Sequence, residues 1–353
     1  MKKIISKVLS CILFISLASF TSVQASEINY ANTTEEEISD TIIGYLKHNL
    51  NLQKDLVLSK NNYILPGSKL EQFSELSSKS IVEWYSSSFG QLDWFNLDIN
   101  IKSIERTNES IQINVDEIVE CQYVGSNVET SYTNNHIIEL KYNDNKLLVE
   151  KDILQNDSLL YSPAEKLSEE EYNIYIDKIT SIEKEKSLHL EDEIEAIGKA
   201  NNKSLSIQTR AGRYNRTSAA NAAILMANQP EDYPDNDCTN FVSKALAVGG
   251  LPKDGTWYQG SLAWIQVITL RNYLISSGKA VEYYSIESSQ LADVVQFYNR
   301  DYQNWTHSVI ITGVLGSNRL VSAHSYPAKN VAFTTYFPGK PFYSSYRVLH
   351  ITY

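Results

Sequence analysis

The sequence predicts an α+β protein in two successive units, each with helices first and antiparallel strands after. Three observations carry this. Apolar residues recur at helical spacing from Thr34 to about Ser88, and again from Thr217 to Ser277. After each helical stretch the period changes to two, with short polar turns between runs. A charged helical linker over residues 161–208 lies between the units, and the charge balance changes across it. The chain of 353 residues has a net charge of -11, and the excess acid lies in front of residue 205.

Met1-Lys2-Lys3 and Lys7 precede an apolar stretch from Val8 to Phe20, and Val23-Gln24-Ala25 follows with small residues at the offsets of a cleavage site. Residues 1–25 therefore read as a secretory signal peptide. Its apolar core is too short to span a bilayer, and no later segment approaches the roughly 18 apolar residues a span needs. The mature chain is expected to be exported, without an integral membrane segment. Abundant Lys, Asn, Ile and Tyr suggest an AT-rich genome, and with such a signal a Gram-positive source.

The front unit covers residues 26–160. Thr34 followed by Glu37 forms a capping box, and Ile38, Ile42, Ile43, Tyr45 and Leu46 make the apolar face of the first helix. Leu97, Ile99 and Ile101 then alternate, as do Ile111, Ile113 and Val115, with further runs around Ile137–Leu140 and Leu147–Val149. Asn143-Asp144-Asn145 is a turn between two of them. Cys121 lies inside an apolar run and reads as packing. In the linker, Tyr172, Tyr175, Ile179 and Ile182 form one stripe on an otherwise charged, solvated helix.

The rear unit covers residues 209–353. It predicts helices over about Thr217–Asn228, Cys238–Val248 and Leu262–Ser277, then strands around Val294–Tyr298, His307–Val314, Arg319–His324 and Tyr346–Ile351.

Asp237-Cys238-Thr239-Asn240-Phe241-Val242 carries the chemistry. A cysteine in the first turn of a helix meets unpaired N–H groups and the positive end of the dipole, which favour the nucleophilic thiolate. Asp237 reads as the helix N-cap, and Asn240 as a site-lining or helix-structure residue. A base is needed, and His307 opens a β-prone run, with His324 on a second run beyond the turn Gly316-Ser317-Asn318. If His324 pairs opposite Val309, it shares a face with His307; if opposite Ile310, the two face apart. The chemistry prefers the first register, in which His324 orients His307. One cysteine and two widely spaced histidines do not make a structural zinc set, and no metal or cofactor is expected. Trp257 and Trp305 are groove candidates.

Tyr214-Asn215-Arg216, Asn236-Asp237-Cys238-Thr239-Asn240-Phe241-Val242-Ser243, Ala247-Val248-Gly249-Gly250, Trp257, Ala263-Trp264, Asp293-Val294-Val295, His307-Ser308 and His324 run in one order over about residues 212–350. Together they resemble the putative amidase domain family of secreted bacterial proteins, related to the NlpC/P60 and CHAP peptidoglycan hydrolases. The resemblance implies a papain-like (NlpC/P60-type) catalytic domain with Cys238 as nucleophile, His307 as general base and acid, and His324 as the orienting residue. Family members carry Gly-Asp before the apolar strand, where this chain has Ala292-Asp293. Residues 34–155, helices and then a meander of long strands, resemble the NTF2-like fold that precedes secreted catalytic domains. The function implied is that of an exported cysteine amidohydrolase or peptidase, secreted and cell-wall associated, acting on an amide of peptidoglycan or a peptide. An amide transferase would use the same residues, and an inactive surface-binding module is the alternative from another class. The acidic front argues against nucleic-acid binding.

Overall fold

The computed structural model describes residues 30–155, 168–200, 214–233 and 237–353, without the side chains of 189–200. The signal peptide and the joint over 201–208 lie outside these residues.

Thr34 caps α1 (Glu35–Asp55) by accepting the Glu37 N–H at 3.1 Å, as its sequence predicts. Ser68 does the same for α2 (Lys69–Ser87), and the Glu71 carboxylate reaches back to the Gly67 N–H at 2.7 Å. Four strands follow: β1 (Leu92–Arg106), β2 (Ile111–Tyr123), β3 (Thr130–Asn143) and β4 (Lys146–Leu154). The β3–β4 turn puts Asp144 and Asn145 at φ 48° and 63°, the left-handed conformation that a tight hairpin demands and these two residues tolerate. Ser168 caps α3 (Glu169–Ala200). The rear begins with α4 (Arg216–Met226), α5 (Cys238–Val248), α6 (Leu262–Ile265) and α7 (Val267–Ser276). It ends with β5 (Ala280–Tyr283), β6 (Val294–Asn299), β7 (Asn304–Leu315), β8 (Asn318–Ala323), β9 (Ala328–Ala332) and β10 (Tyr343–Ile351). Gly316, at φ 60°, and Ser317 make the β7–β8 turn.

The expected fold class is corrected here. A papain-like rear domain behind a separate NTF2-like front domain requires two sheets. The described residues form one ten-stranded sheet in the order β1-β2-β3-β9-β8-β7-β6-β10-β5, with β4 also on β3, and every strand pair is antiparallel. The result is a mixed α/β architecture around a shared sheet. The joint is short: Ser131 pairs with Lys329 and Tyr132 with Ala328. Its physical reason is that β3 and β9 would each present unpaired N–H and C=O groups as open edges, and pairing them covers both. A small cluster crosses the same joint, with Leu50, Leu92, Val119, Cys121 and Tyr123 against Leu320 and Ala332. β5 and β9 were not expected from the sequence, and the single helix expected over Leu262–Ser277 is broken at Gln266, whose φ and ψ are extended.

The front core packs Ile38, Ile42 and Leu46 of α1 against Ile113, Val115, Ile138, Leu140 and Val149. Tyr172, Tyr175, Ile176 and Ile179 of α3 are buried in that core, so the helix is a packed wall rather than a solvated linker. The rear sheet is covered on both faces. Toward the helices, Val294, Ile310 and Leu349 meet Phe241, Leu246, Trp257 and Trp264. On the far face, Val295, Phe297, Val309, Val321 and Val348 meet Phe333, Tyr336 and Phe342. Each such buried aliphatic or aromatic side chain contributes roughly 1.5–3 kcal/mol. Among the described residues no helix is long and apolar enough to cross a membrane.

Candidate active site

Cys238 is the first residue of α5. Its side chain opens on a cleft of about 520 Å³ lined also by Tyr233, Ile265, Gln266, Val267, Ile268, Asn304, Trp305 and Thr306. None of its described lining residues is charged, and Gln266 and Asn304 are the amides among them. The sulfur lies 3.7 Å from Thr239 Oγ1 and 4.0 Å from the Thr306 carbonyl oxygen. Cys238 and Cys121 are not joined in a disulfide.

Asp237 is fully buried and holds the N-cap position, yet its carboxylate makes no cap bond to the helix. It accepts instead from His324 Nδ1 at 2.6 Å, from Asn240 Nδ2 at 2.8 Å and from the Tyr233 N–H at 3.3 Å. The cap comes from Ser325, whose Oγ accepts the N–H groups of Asp237 and Cys238 at 2.6 and 3.1 Å. Ser325 has φ 57°, and the turn it makes carries the hydroxyl over the helix start. The helix-start N–H of Cys238 is thus already engaged.

The structure separates the two histidines. Ile310 pairs with Ser322 and Ile311 with Val321, which continues to place His324 beside Ser308. His324 therefore lies on the helix side of the sheet. Its ring stacks on Phe241 at 4.5 Å, and its Nε2 meets the Met226 carbonyl oxygen at 2.8 Å. One ring nitrogen faces a carboxylate and the other a backbone carbonyl. His307 pairs with Phe297 and stacks on Phe297, Tyr336 and Tyr343 at 6.3, 5.5 and 6.3 Å. It faces away from α5. The register preferred from the sequence, with His324 orienting His307, is not the one adopted. A bulge in the β6–β7 pairing at Thr306 brings the backbone just before His307 to the sulfur, while the ring stays on the far face.

The other candidates also sort themselves. Trp305 lines the cleft and rests on the Arg347 guanidinium at 4.0 Å. Trp257 does not line a groove: it is fully buried, 4.7 Å from the Trp264 ring, with its Nε1 on Ser243 Oγ. Asn240 is a buried linchpin that donates to Asp237 and to Asp232 at 3.1 Å while accepting from Trp264 Nε1 at 2.7 Å. Asp293 anchors Arg216 at 2.6 Å and His350 at 2.9 Å, away from the cleft. Ser325, Thr239, Ser308 and Gln266 escaped the sequence reading. The signal for Ser308 was present as a small polar residue inside an apolar strand. A mainly apolar cavity of about 360 Å³ between Trp84, Phe89, Phe333, Phe337 and Tyr346 is lined by neither cysteine nor histidine among the described residues. Among the described residues no group of His, Cys, Asp or Glu is placed to hold a metal ion.

Residues 209–346 match the family described as "Putative amidase domain". The uncharacterized protein YjcM of Bacillus subtilis (strain 168) is 32% identical over 132 residues, which cover 33% of this chain and 31% of that protein. The chain thus spans about a third of the length of this relative. No solved structure matches significantly.

Proposed function

We propose that the chain hydrolyses an amide bond with Cys238 as its nucleophile. The observation that carries this is the placing of Cys238 in the first turn of α5, open to a cleft, within the segment that matches an amidase domain. The sulfur attacks the substrate carbonyl carbon. The C–N bond breaks as the amine takes a proton, leaving a thioester on Cys238. Water then adds, gives up a proton, and the C–S bond breaks to return the thiolate.

The proton carrier in this reading is His324 rather than His307. His324 is on the helix side of the sheet, adjoins the Ser325 that caps Cys238, and is oriented by Asp237. For it to give a proton to the leaving nitrogen and later take one from water, its ring must turn from the Met226 carbonyl toward the cleft. The Gln266 amide is the candidate donor to the oxyanion, since Ser325 occupies the Cys238 N–H. The partly apolar cleft, with no charge among its described lining residues, suits an uncharged stretch of peptide. We place the enzyme outside the cell, on the signal-like residues 1–25, with peptide amides of peptidoglycan as the first substrate to try.

The test is release of new amino groups from purified cell-wall peptides. Wild type should release them, and Cys238→Ala should not while melting at the same temperature. Equal release by the two proteins removes the cysteine mechanism. Adding a free amine separates the alternatives: an adduct on the product identifies a transferase, and its absence a hydrolase.

A further inference from the structure

A buried file of polar side chains runs from β10, across β6 and β7, to the Cys238 sulfur. Arg347, Gln296, Ser308 and Thr239 are at most 6% exposed, and three of the four are fully buried. Arg347 Nε and Nη2 donate to Gln296 Oε1 at 2.9 and 2.7 Å. Gln296 Nε2 lies 3.2 Å from Ser308 Oγ and 2.8 Å from the Val267 carbonyl oxygen. Ser308 Oγ lies 3.2 Å from Thr239 Oγ1, which is 3.7 Å from Cys238 Sγ.

The direction of this file is not arbitrary. A guanidinium only donates, so the Gln296 oxygen must face Arg347 and its nitrogen must face Ser308. The Ser308 oxygen accepts from that nitrogen, and the arrangement in which its own hydrogen turns to Thr239 is the one that frees the Thr239 hydroxyl to donate elsewhere. In that arrangement the Thr239 hydrogen is left for the sulfur, which as a thiolate can only accept. We propose that Arg347, Gln296 and Ser308 are positioning residues that hold the Thr239 hydroxyl as a donor to the Cys238 thiolate. The inference rests on Cys238 being the nucleophile, but the state it concerns is the thiolate itself.

A donor stabilises the charged sulfur and lowers the pH at which it forms; loss of the donor raises that pH. Other charged or titratable groups near the sulfur are held in their own pairs. Asp237 is on His324, and Asp232 is on Lys244 and Asn240. Tyr233 lines the cleft, Glu231 accepts the Ser325 N–H, and His307 lies beyond the strand on the far face. None of these is altered by changing the file. Arg347 also supports Trp305 from beneath, so one guanidinium serves the cleft wall and the start of the file.

The test is the pH dependence of Cys238 alkylation by iodoacetamide on the full chain. Thr239→Val keeps the shape and removes the donor, and should move the thiol titration up by about one pH unit. Thr239→Ser should restore it. Ser308→Ala and Gln296→Met leave Thr239 in place but remove what directs its hydrogen, and should move the titration upward by a smaller amount. A wild-type titration in Thr239→Val overturns the proposal. A shift in Thr239→Val with none in folded Ser308→Ala and Gln296→Met overturns the file and leaves a purely local hydroxyl. Thermal melts distinguish a shifted thiol from an unfolded one. If the variants show these shifts while the wild type cleaves no amide, the proposed function falls and this inference stands.

Discussion

Among the described residues the front and rear of the molecule each hold one cysteine, and the two are opposites. Cys121 is on β2, fully buried among Leu92, Val119 and Tyr123, and burial pushes its thiol up to about 12. Cys238 is at a helix start, at the edge of a cleft, with a hydroxyl beside the sulfur. The residue type is the same, so the surroundings decide whether sulfur is packing or a reagent. The sharpest way to break this contrast is competitive labelling. At pH 7.5 in the folded protein, iodoacetamide should modify Cys238 and leave Cys121 untouched, with mass spectrometry of peptides reading each site. Equal modification of both would remove the distinction.

The second contrast is between the two faces of β7. One face bears Ser308 and Ile310 toward α5; the other bears His307 and Val309 into an aromatic stack. His324→Ala should lower turnover by roughly 10²–10⁴, the size of a lost acid–base group. His307→Ala should instead leave a cavity in the stack and destabilise by about 2–5 kcal/mol, with the rate per folded molecule within a few-fold of wild type. Paired kinetics and denaturant melts read both. The opposite result, with His307→Ala inactive and stable, would return the base to the far histidine.

Smaller effects follow at the helix start and in the front core. Ser325→Ala removes the acceptor of two N–H groups and should cost about 1–2 kcal/mol in a chemical melt. Unchanged stability would mean that water caps α5 as well as Ser325 does. In the front half, His136 is also held by a carboxylate, with Nδ1 2.9 Å from Asp152, and Glu117 lies 3.6 Å from Nε2. Burial lowers its pKa, but the two carboxylates outweigh it and raise it to about 10. The folded value is above the unfolded value of roughly 6.5. The stabilisation is therefore complete below about pH 6.5 and is lost as pH rises through about 10. Wild type should lose more melting temperature between pH 7 and 10 than His136→Gln, and parallel curves would remove the effect.

Much of this was legible along the chain because it is local. The Thr34 cap, the Asp144–Asn145 turn, the start of α5 at Cys238 and the β7–β8 hairpin depend on residues within a few positions of one another. The one-sided stripe of Tyr172, Tyr175 and Ile179 was visible too, although what it packs on was not. The position of His307 and His324 in sequence was plain, but the faces they occupy turn on one residue of register and a bulge at Thr306.

By itself the sequence determined the element types, the helix-start cysteine and the set of polar residues from which a site could be built, because caps, turns and periodicity are short-range. The tertiary structure alone decided that β3 meets β9 in one sheet, since either open edge could have been covered in several ways. It also decided that Ser325, rather than Asp237, caps α5, and that Asp237 serves His324, 87 residues away in the chain. Such pairings depend on which backbone groups packing leaves buried without a partner, and a buried donor or acceptor must find one wherever the chain brings it.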